Sequence, residues 1–192
     1  MVRKGILFLG LICTVICNTA LSQVNNYAFA ATQSAYTSIY GTVVSLTGNG
    51  TDAVQDEGYA NNIPIGFPFN YLGVNYTAIS ASTNGFASFE ALTSAYFSNN
   101  LSTGIAPRPL LAPLWEDLAL SAITDMQYLT TGAAGNKVFI LQWSNVLYDF
   151  GAGTASASFQ IRLYETTNKI EFIYLSLAGA VQDYSGCLLY TS

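Results

Sequence analysis

Ser158-Phe159-Gln160-Ile161-Arg162-Leu163-Tyr164, the turn Glu165-Thr166-Thr167-Asn168, and Lys169-Ile170-Glu171-Phe172-Ile173-Tyr174-Leu175 together decide the fold. Phe159, Ile161 and Leu163 alternate with Gln160, Arg162 and Tyr164, and Ile170, Phe172 and Tyr174 resume the alternation after the turn. Successive side chains of a strand leave opposite faces, so period two marks a half-buried strand. Closing a four-residue loop places Leu163 opposite Ile170, Ile161 opposite Phe172 and Phe159 opposite Tyr174 on one face. The same closure sets Arg162 opposite Glu171 on the other. One register satisfies both faces, and a slip of one residue would turn the whole apolar set out to water.

Outward from this hairpin, residues 137–146 read as a third strand, with 126–130 before it across the turn Gly132-Ala133-Ala134-Gly135-Asn136. Residues 110–115 are apolar nearly throughout, which predicts a strand buried on both sides. Residues 74–80 and 85–90 flank Ser82-Thr83-Asn84-Gly85, where Asn-Gly supplies the positive φ of a tight hairpin. Residues 63–71 carry Pro64 and Pro68, each of which removes a ladder donor, so this strand is expected at an edge or interrupted. Residues 41–46 form an earlier strand. About ten short strands at hairpin spacing predict an all-β fold, an antiparallel two-sheet β-sandwich, jelly-roll-like, with little helix.

The first residues have another purpose. Arg3 and Lys4 precede an apolar stretch, and Ala20-Leu21-Ser22 offers small residues for cleavage, so residues 1–22 are read as a signal peptide removed before Gln23. The expected location is therefore secreted or cell-surface. Cys13 and Cys17 leave with that segment and Cys187 alone remains, so no intrachain disulfide is expected in the mature chain. Residues 23–186 are expected to form a single domain with its own core. Cys187-Leu188-Leu189-Tyr190-Thr191-Ser192 follows a glycine abruptly and resembles translated sequencing-adaptor read-through. Residues 187–192 are accordingly expected to be a non-native tail, with the natural protein continuing beyond Gly186. No stretch after the signal is long and apolar enough to predict a membrane span.

Beyond residue 22 the basic residues are Arg108, Lys137, Arg162 and Lys169, against eleven acids, a net charge of −7. Such a surface excludes nucleic acid as a favoured partner. Histidine is absent, which excludes a Ser-His-Asp triad, a Cys-His dyad and a His-based zinc site. A glycosidase needs two carboxyls facing across a cleft, and Glu116-Asp117 are neighbours that point to opposite faces if the strand runs through them. Calcium fits the composition better, because it takes hard oxygen ligands from acidic, Asn- and Gly-rich loops. Asp52, Asp56 and Glu57 form one such loop, and Glu116, Asp117 and Asp125 a second, though neither has the spacing of a known calcium loop. Flat aromatic faces are the other candidate. Trp115, Tyr148, Asp149 and Phe150 are the expected ligand contacts, while Trp143 shares the parity of Phe139 and Leu141 and is expected in the core.

Ser82-Thr83-Asn84-Gly85-Phe86-Ala87-Ser88-Phe89, then Leu111-Ala112-Pro113-Leu114-Trp115-Glu116-Asp117, then residues 138–174 with Gln142-Trp143-Ser144-Asn145, resemble in order and wording the exported β-sandwich domains of Bacteroidetes-type surface proteins that end in type IX secretion sorting domains. More distantly they are similar to the extracellular domain that nidogen shares with mucin-like and matrix proteins. The resemblance spans roughly residues 63–175. It implies an extracellular adhesion or matrix-associated role with no catalytic residues, and a protein or glycan as partner. The reading is therefore a non-enzymatic extracellular module serving adhesion or spacing. A carbohydrate-binding domain, calcium-assisted, is the alternative, and a carboxylate glycosidase stands behind it.

Overall fold

Ser156–Tyr164 and Ile170–Ala178 pair antiparallel with Leu163 opposite Ile170, Ile161 opposite Phe172, Phe159 opposite Tyr174 and Arg162 opposite Glu171, the register that the alternation predicts. The turn closes through Asn168 N–H to the Tyr164 carbonyl (3.0 Å) and Tyr164 N–H to the Lys169 carbonyl (3.1 Å). Asn168 takes the left-handed conformation, φ 51°, which asparagine tolerates better than most residues. Its Oδ1 accepts from Asn70 N–H (3.0 Å), tying this turn to the opposite sheet. One detail differs from the expected cross-strand charge pair. Arg162 places its Nε and Nη2 on Gln160 Oε1 (3.0 and 2.7 Å), while Glu171 is held by Lys169 Nζ (2.7 Å) and the Tyr164 hydroxyl.

The structure is a computed structural model and describes residues 28, 30–48, 50, 53–96, 108–148, 156–178 and 187–191. The signal segment 1–22 lies outside them. Twelve strands are present among the described residues: β1 (Thr42–Val43), β2 (Thr47–Gly48), β3 (Gly58–Tyr71), β4 (Val74–Ser82), β5 (Phe86–Ser88), β6 (Leu110–Trp115), β7 (Leu118–Ala119), β8 (Met126–Thr131), β9 (Val138–Tyr148), β10 (Ser156–Tyr164), β11 (Ile170–Ala178) and β12 (Cys187–Thr191). One sheet runs β1-β8-β9-β10-β11, with β7 also on β9; the other runs β12-β6-β5-β4-β3-β2. Every pairing is antiparallel. The fold is the expected all-β two-sheet sandwich, but the jelly-roll-like expectation is corrected, because a jelly roll is built of Greek keys and here successive strands stay side by side in one sheet. Strands β2 to β6 are successive neighbours in one sheet and β8 to β11 in the other. Cys187–Thr191, expected to stand outside the domain, pairs along β6 with Cys187 opposite Trp115.

Strand β3 shows how the letters set the packing. Ile63, Ile65, Phe67, Phe69 and Tyr71 are buried, whereas Pro64, Gly66 and Pro68 between them are exposed. The prolines sit where the expectation placed them. The β3–β4 ladder shifts register between Ala60 and Ile63 and again between Pro64 and Phe69, and β2 covers the other side of β3 only at Gly58 and Tyr59. Carbonyls along that edge are taken by the first sheet: Thr130 Oγ1 donates to the Ile65 carbonyl (2.8 Å) and Lys137 Nζ to the Gly66 carbonyl (3.0 Å). Prolines, bulges and a lysine are the devices that keep an edge from recruiting another strand.

Between the sheets, Phe139, Leu141, Trp143, Phe159, Ile161 and Leu163 pack against the buried side of β3 and Ile79. Trp143 stacks on Phe159 at 5.0 Å and donates its indole N–H to the Ser82 carbonyl (3.0 Å), so the expected core placement is what forms. Strand β6 is buried at all six positions, as its unbroken apolar run predicts. Leu111 and Leu114 face the main core. Leu110, Ala112 and Trp115 face a second, smaller cluster with Phe86 and Leu92.

Candidate functional site

The turn between β4 and β5 organises one end of the sandwich. Ser82 pairs with Phe86, leaving a three-residue loop with Gly85 at φ 75°, the positive-φ position such loops require. Ser82, Thr83 and Asn84 have no exposed surface at all, which is unusual for three consecutive polar residues. Burial is tolerated because their groups are bonded. Thr83 Oγ1 accepts from Gly58 N–H (3.1 Å) and donates to the Asp56 carbonyl. Asn84 Oδ1 accepts from Leu118 N–H (2.8 Å), its Nδ2 donates to Glu57 Oε2 (3.4 Å), and its carbonyl accepts from Glu116 N–H (3.3 Å). Ser82 Oγ donates to the Ala95 carbonyl (2.6 Å).

Those bonds draw together two loops that lie far apart in sequence, residues 53–57 and 116–120. Leu120 N–H adds a direct tie to the Gln55 carbonyl (2.7 Å). The carboxylates of Asp56, Glu57 and Asp117 consequently lie within 4.8 Å of one another. Asp117 is exposed, Asp56 half-buried and Glu57 buried. Glu116, beside Asp117 in the chain, is a further buried acid, only 6% exposed. Burial, with the Asp117 charge beside it, pushes the Glu116 carboxyl up to about 7. Tyr148 stands next to this acidic end, half-buried on β9 opposite Leu118, and its hydroxyl is raised by burial and by the Glu116 charge.

The expected acidic groups are thus regrouped. Asp56 and Glu57 meet Asp117 from the second loop, while Asp125 is absent from the cluster and accepts from Ala122 N–H (2.8 Å) in its own short 3-10 turn. Asp52, Asp149 and Phe150 lie outside the described residues. Trp115 is a correction. It is 1% exposed, packed against Phe86 at 4.9 Å and clustered with Leu92 and Tyr96, with its indole N–H on the Tyr96 carbonyl (2.7 Å). An indole in that position offers no face to a ligand. Thr83 and Asn84 were legible only as a turn, yet they hold the acids in place.

A shifted acid has a measurable consequence. Between the ordinary carboxylate value of 4.5 and about 7, folded Glu116 holds a proton that the unfolded chain has released. Stability therefore falls as pH rises through that window and is level above it, by up to about 3 kcal/mol. Urea denaturation is expected to show the protein less stable at pH 8 than at pH 5.5, and Glu116→Gln to remove most of the difference. An unchanged pH dependence in that variant would place the burial elsewhere.

The family model described as NIDO related matches residues 26–187. The chain belongs to the NIDO-related family. No curated protein and no solved structure matches it. The nidogen-type side of the resemblance is thereby shown. In this NIDO-related domain the matched span includes the buried Ser82-Thr83-Asn84-Gly85 turn, both acid-bearing loops and every strand from β1 to β11. Among its described residues no helix is long and apolar enough to cross a membrane.

Proposed function

We propose that this NIDO-related domain is a non-catalytic extracellular module of a larger bacterial surface or secreted protein, contributing adhesion or spacing. Membership of the family over residues 26–187 is the observation that carries the reading. The absence of histidine from the whole sequence supports the non-catalytic part. The carbohydrate-binding alternative loses one of its aromatic faces, because Trp115 is buried, and retains Tyr148.

The test is an array of extracellular-matrix proteins and glycans probed with the purified chain, with and without calcium. A panel of chromogenic glycosides and esters is run beside it. Saturable binding to a matrix protein without turnover is the expected result. A glycan hit abolished by Tyr148→Ala would move the reading to a lectin-like module. Turnover that disappears in Glu116→Gln would overturn the non-catalytic reading.

A further inference from the structure

Residues 91–96 form an arm with no helix or strand of its own. Leu92 and Ala95 are buried, and Leu92 and Tyr96 pack with Phe86, Leu110 and Trp115 in the smaller apolar cluster. The main-chain groups of the arm are held by side chains of the second sheet. Leu92 N–H donates to Asn61 Oδ1 (2.7 Å), and the Leu92 carbonyl accepts from Asn61 Nδ2 (2.9 Å). The Ala95 carbonyl accepts from Ser82 Oγ (2.6 Å) and the Tyr96 carbonyl from the Trp115 indole (2.7 Å). Tyr96 has φ 50°, a left-handed conformation that a bulky residue adopts only at a cost. An irregular segment held by a few side chains, with a strained residue at its end, is the kind of unit that opens below the free energy of global unfolding.

One further contact joins this arm to the acidic end. Asn84 Oδ1 accepts from Leu118 N–H (2.8 Å), which fixes the amide so that its Nδ2 faces two acceptors, Glu57 Oε2 and the Ala95 carbonyl, each at 3.4 Å. Both distances exceed the about 2.7 to 3.2 Å of an ordinary N–H···O bond. The amide is stretched between its two acceptors, so a shift that shortens one bond lengthens the other. As a carboxylate, Glu57 is the stronger acceptor of the two.

We propose that Asn84 couples the acidic end of the sandwich to the arm. When residues 91–96 lift, the amide closes onto the Glu57 carboxylate, and that gain offsets part of the loss at Ala95. Charge on Glu57 therefore favours the lifted arm, and a neutral side chain at position 57 holds the arm down. The coupling is reciprocal: lifting the arm tightens the bond between Asn84 and Glu57, and with it the joint between residues 53–57 and the buried turn.

Hydrogen exchange followed by NMR on the purified protein tests this. Leu92 N–H and the Trp115 indole N–H report the arm. The Trp143 indole N–H, bonded to the Ser82 carbonyl on the core side of the same turn (3.0 Å), reports global unfolding. In Glu57→Gln the two arm protons are expected to slow relative to Trp143 by about fivefold, the ratio separating a hydrogen bond to a charged acceptor from one to a neutral acceptor. Asp117→Asn takes a charge from the same cluster and leaves Glu57 in place, so it is expected to leave that ratio unchanged. An unchanged ratio in Glu57→Gln, or equal slowing in both variants, would overturn the proposal. So would arm protons that exchange only together with Trp143 in the unaltered protein. Should Glu57→Gln fail to fold, Asn61→Ala reads the coupling from the other end. It removes both bonds to Leu92, and the Asn84 side-chain amide resonance is expected to move as the amide closes on Glu57. A resonance that stays in place would equally overturn the proposal.

Discussion

Replacing Gly85 with alanine is expected to cost about 3 to 5 kcal/mol, a large part of the stability of a domain of ordinary size. Two penalties add at this position. Gly85 has φ 75°, a left-handed conformation that costs a residue with a Cβ roughly 1 to 2 kcal/mol. The Cβ would also lie 1.9 Å from the Leu114 carbonyl oxygen, which accepts no displacement without moving β6. Gly73 is the matched control. It has φ 86° and nothing within 4 Å of an added Cβ, so Gly73→Ala carries only the conformational cost. Chemical denaturation of both variants measures the difference. A Gly85→Ala midpoint no lower than that of Gly73→Ala would mean that the turn does not pack against β6 as described.

Ile161→Asp is expected to be at least as damaging, about 5 kcal/mol or more, leaving little or no cooperative transition at 25 °C. Ile161 has no exposed surface and lies in the main core between the sheets. The change loses its burial, about 1.5 to 3 kcal/mol, and puts a carboxylate among apolar side chains with no cation to pair with it. The neighbouring position serves as the comparison. Arg162 is half-buried on the other face and bonds Gln160, so Arg162→Ala is expected to cost about 1 to 2 kcal/mol. Equal losses at 161 and 162 would mean that β10 does not face as its alternation says.

These two positions also mark what was and was not legible. The facing of β10 and β11 was readable because two apolar faces and a four-residue turn admit one register, and residues 159–163 pair with 170–174 in that register. The two-sided burial of β6 followed from its unbroken apolar run, and the edge position of β3 from Pro64 and Pro68. Periodicity has nothing to say about irregular segments. Residues 91–96 have no alternation, so nothing in the letters announced that Leu92 and Tyr96 pack over Trp115. The meeting of Glu57 with Asp117 was equally hidden. It depends on side-chain to main-chain bonds from Thr83 and Asn84, and three polar letters before a glycine read as an exposed turn. Alternation places Gln160 on the polar face of β10, and Gln142 lies beside it on β9. Their burial depends on residues 37–41, which carry no pattern of their own.

The claim on which the candidate site rests is that one buried turn brings acids from two distant loops into a single cluster. A double-mutant cycle on Glu57→Gln and Asp117→Asn tests it most directly, read as unfolding free energy at pH 8 and low salt. Carboxylates within 4.8 Å repel by about 1 to 3 kcal/mol at effective dielectric constants between roughly 80 and 20. Neutralising either acid should relieve that repulsion, so the second change should gain less than it does in the unaltered protein. The predicted coupling is about 1 kcal/mol or more and shrinks as salt is added. Changes that add within about 0.5 kcal/mol at low salt would contradict the cluster and return the acids to two separate loops.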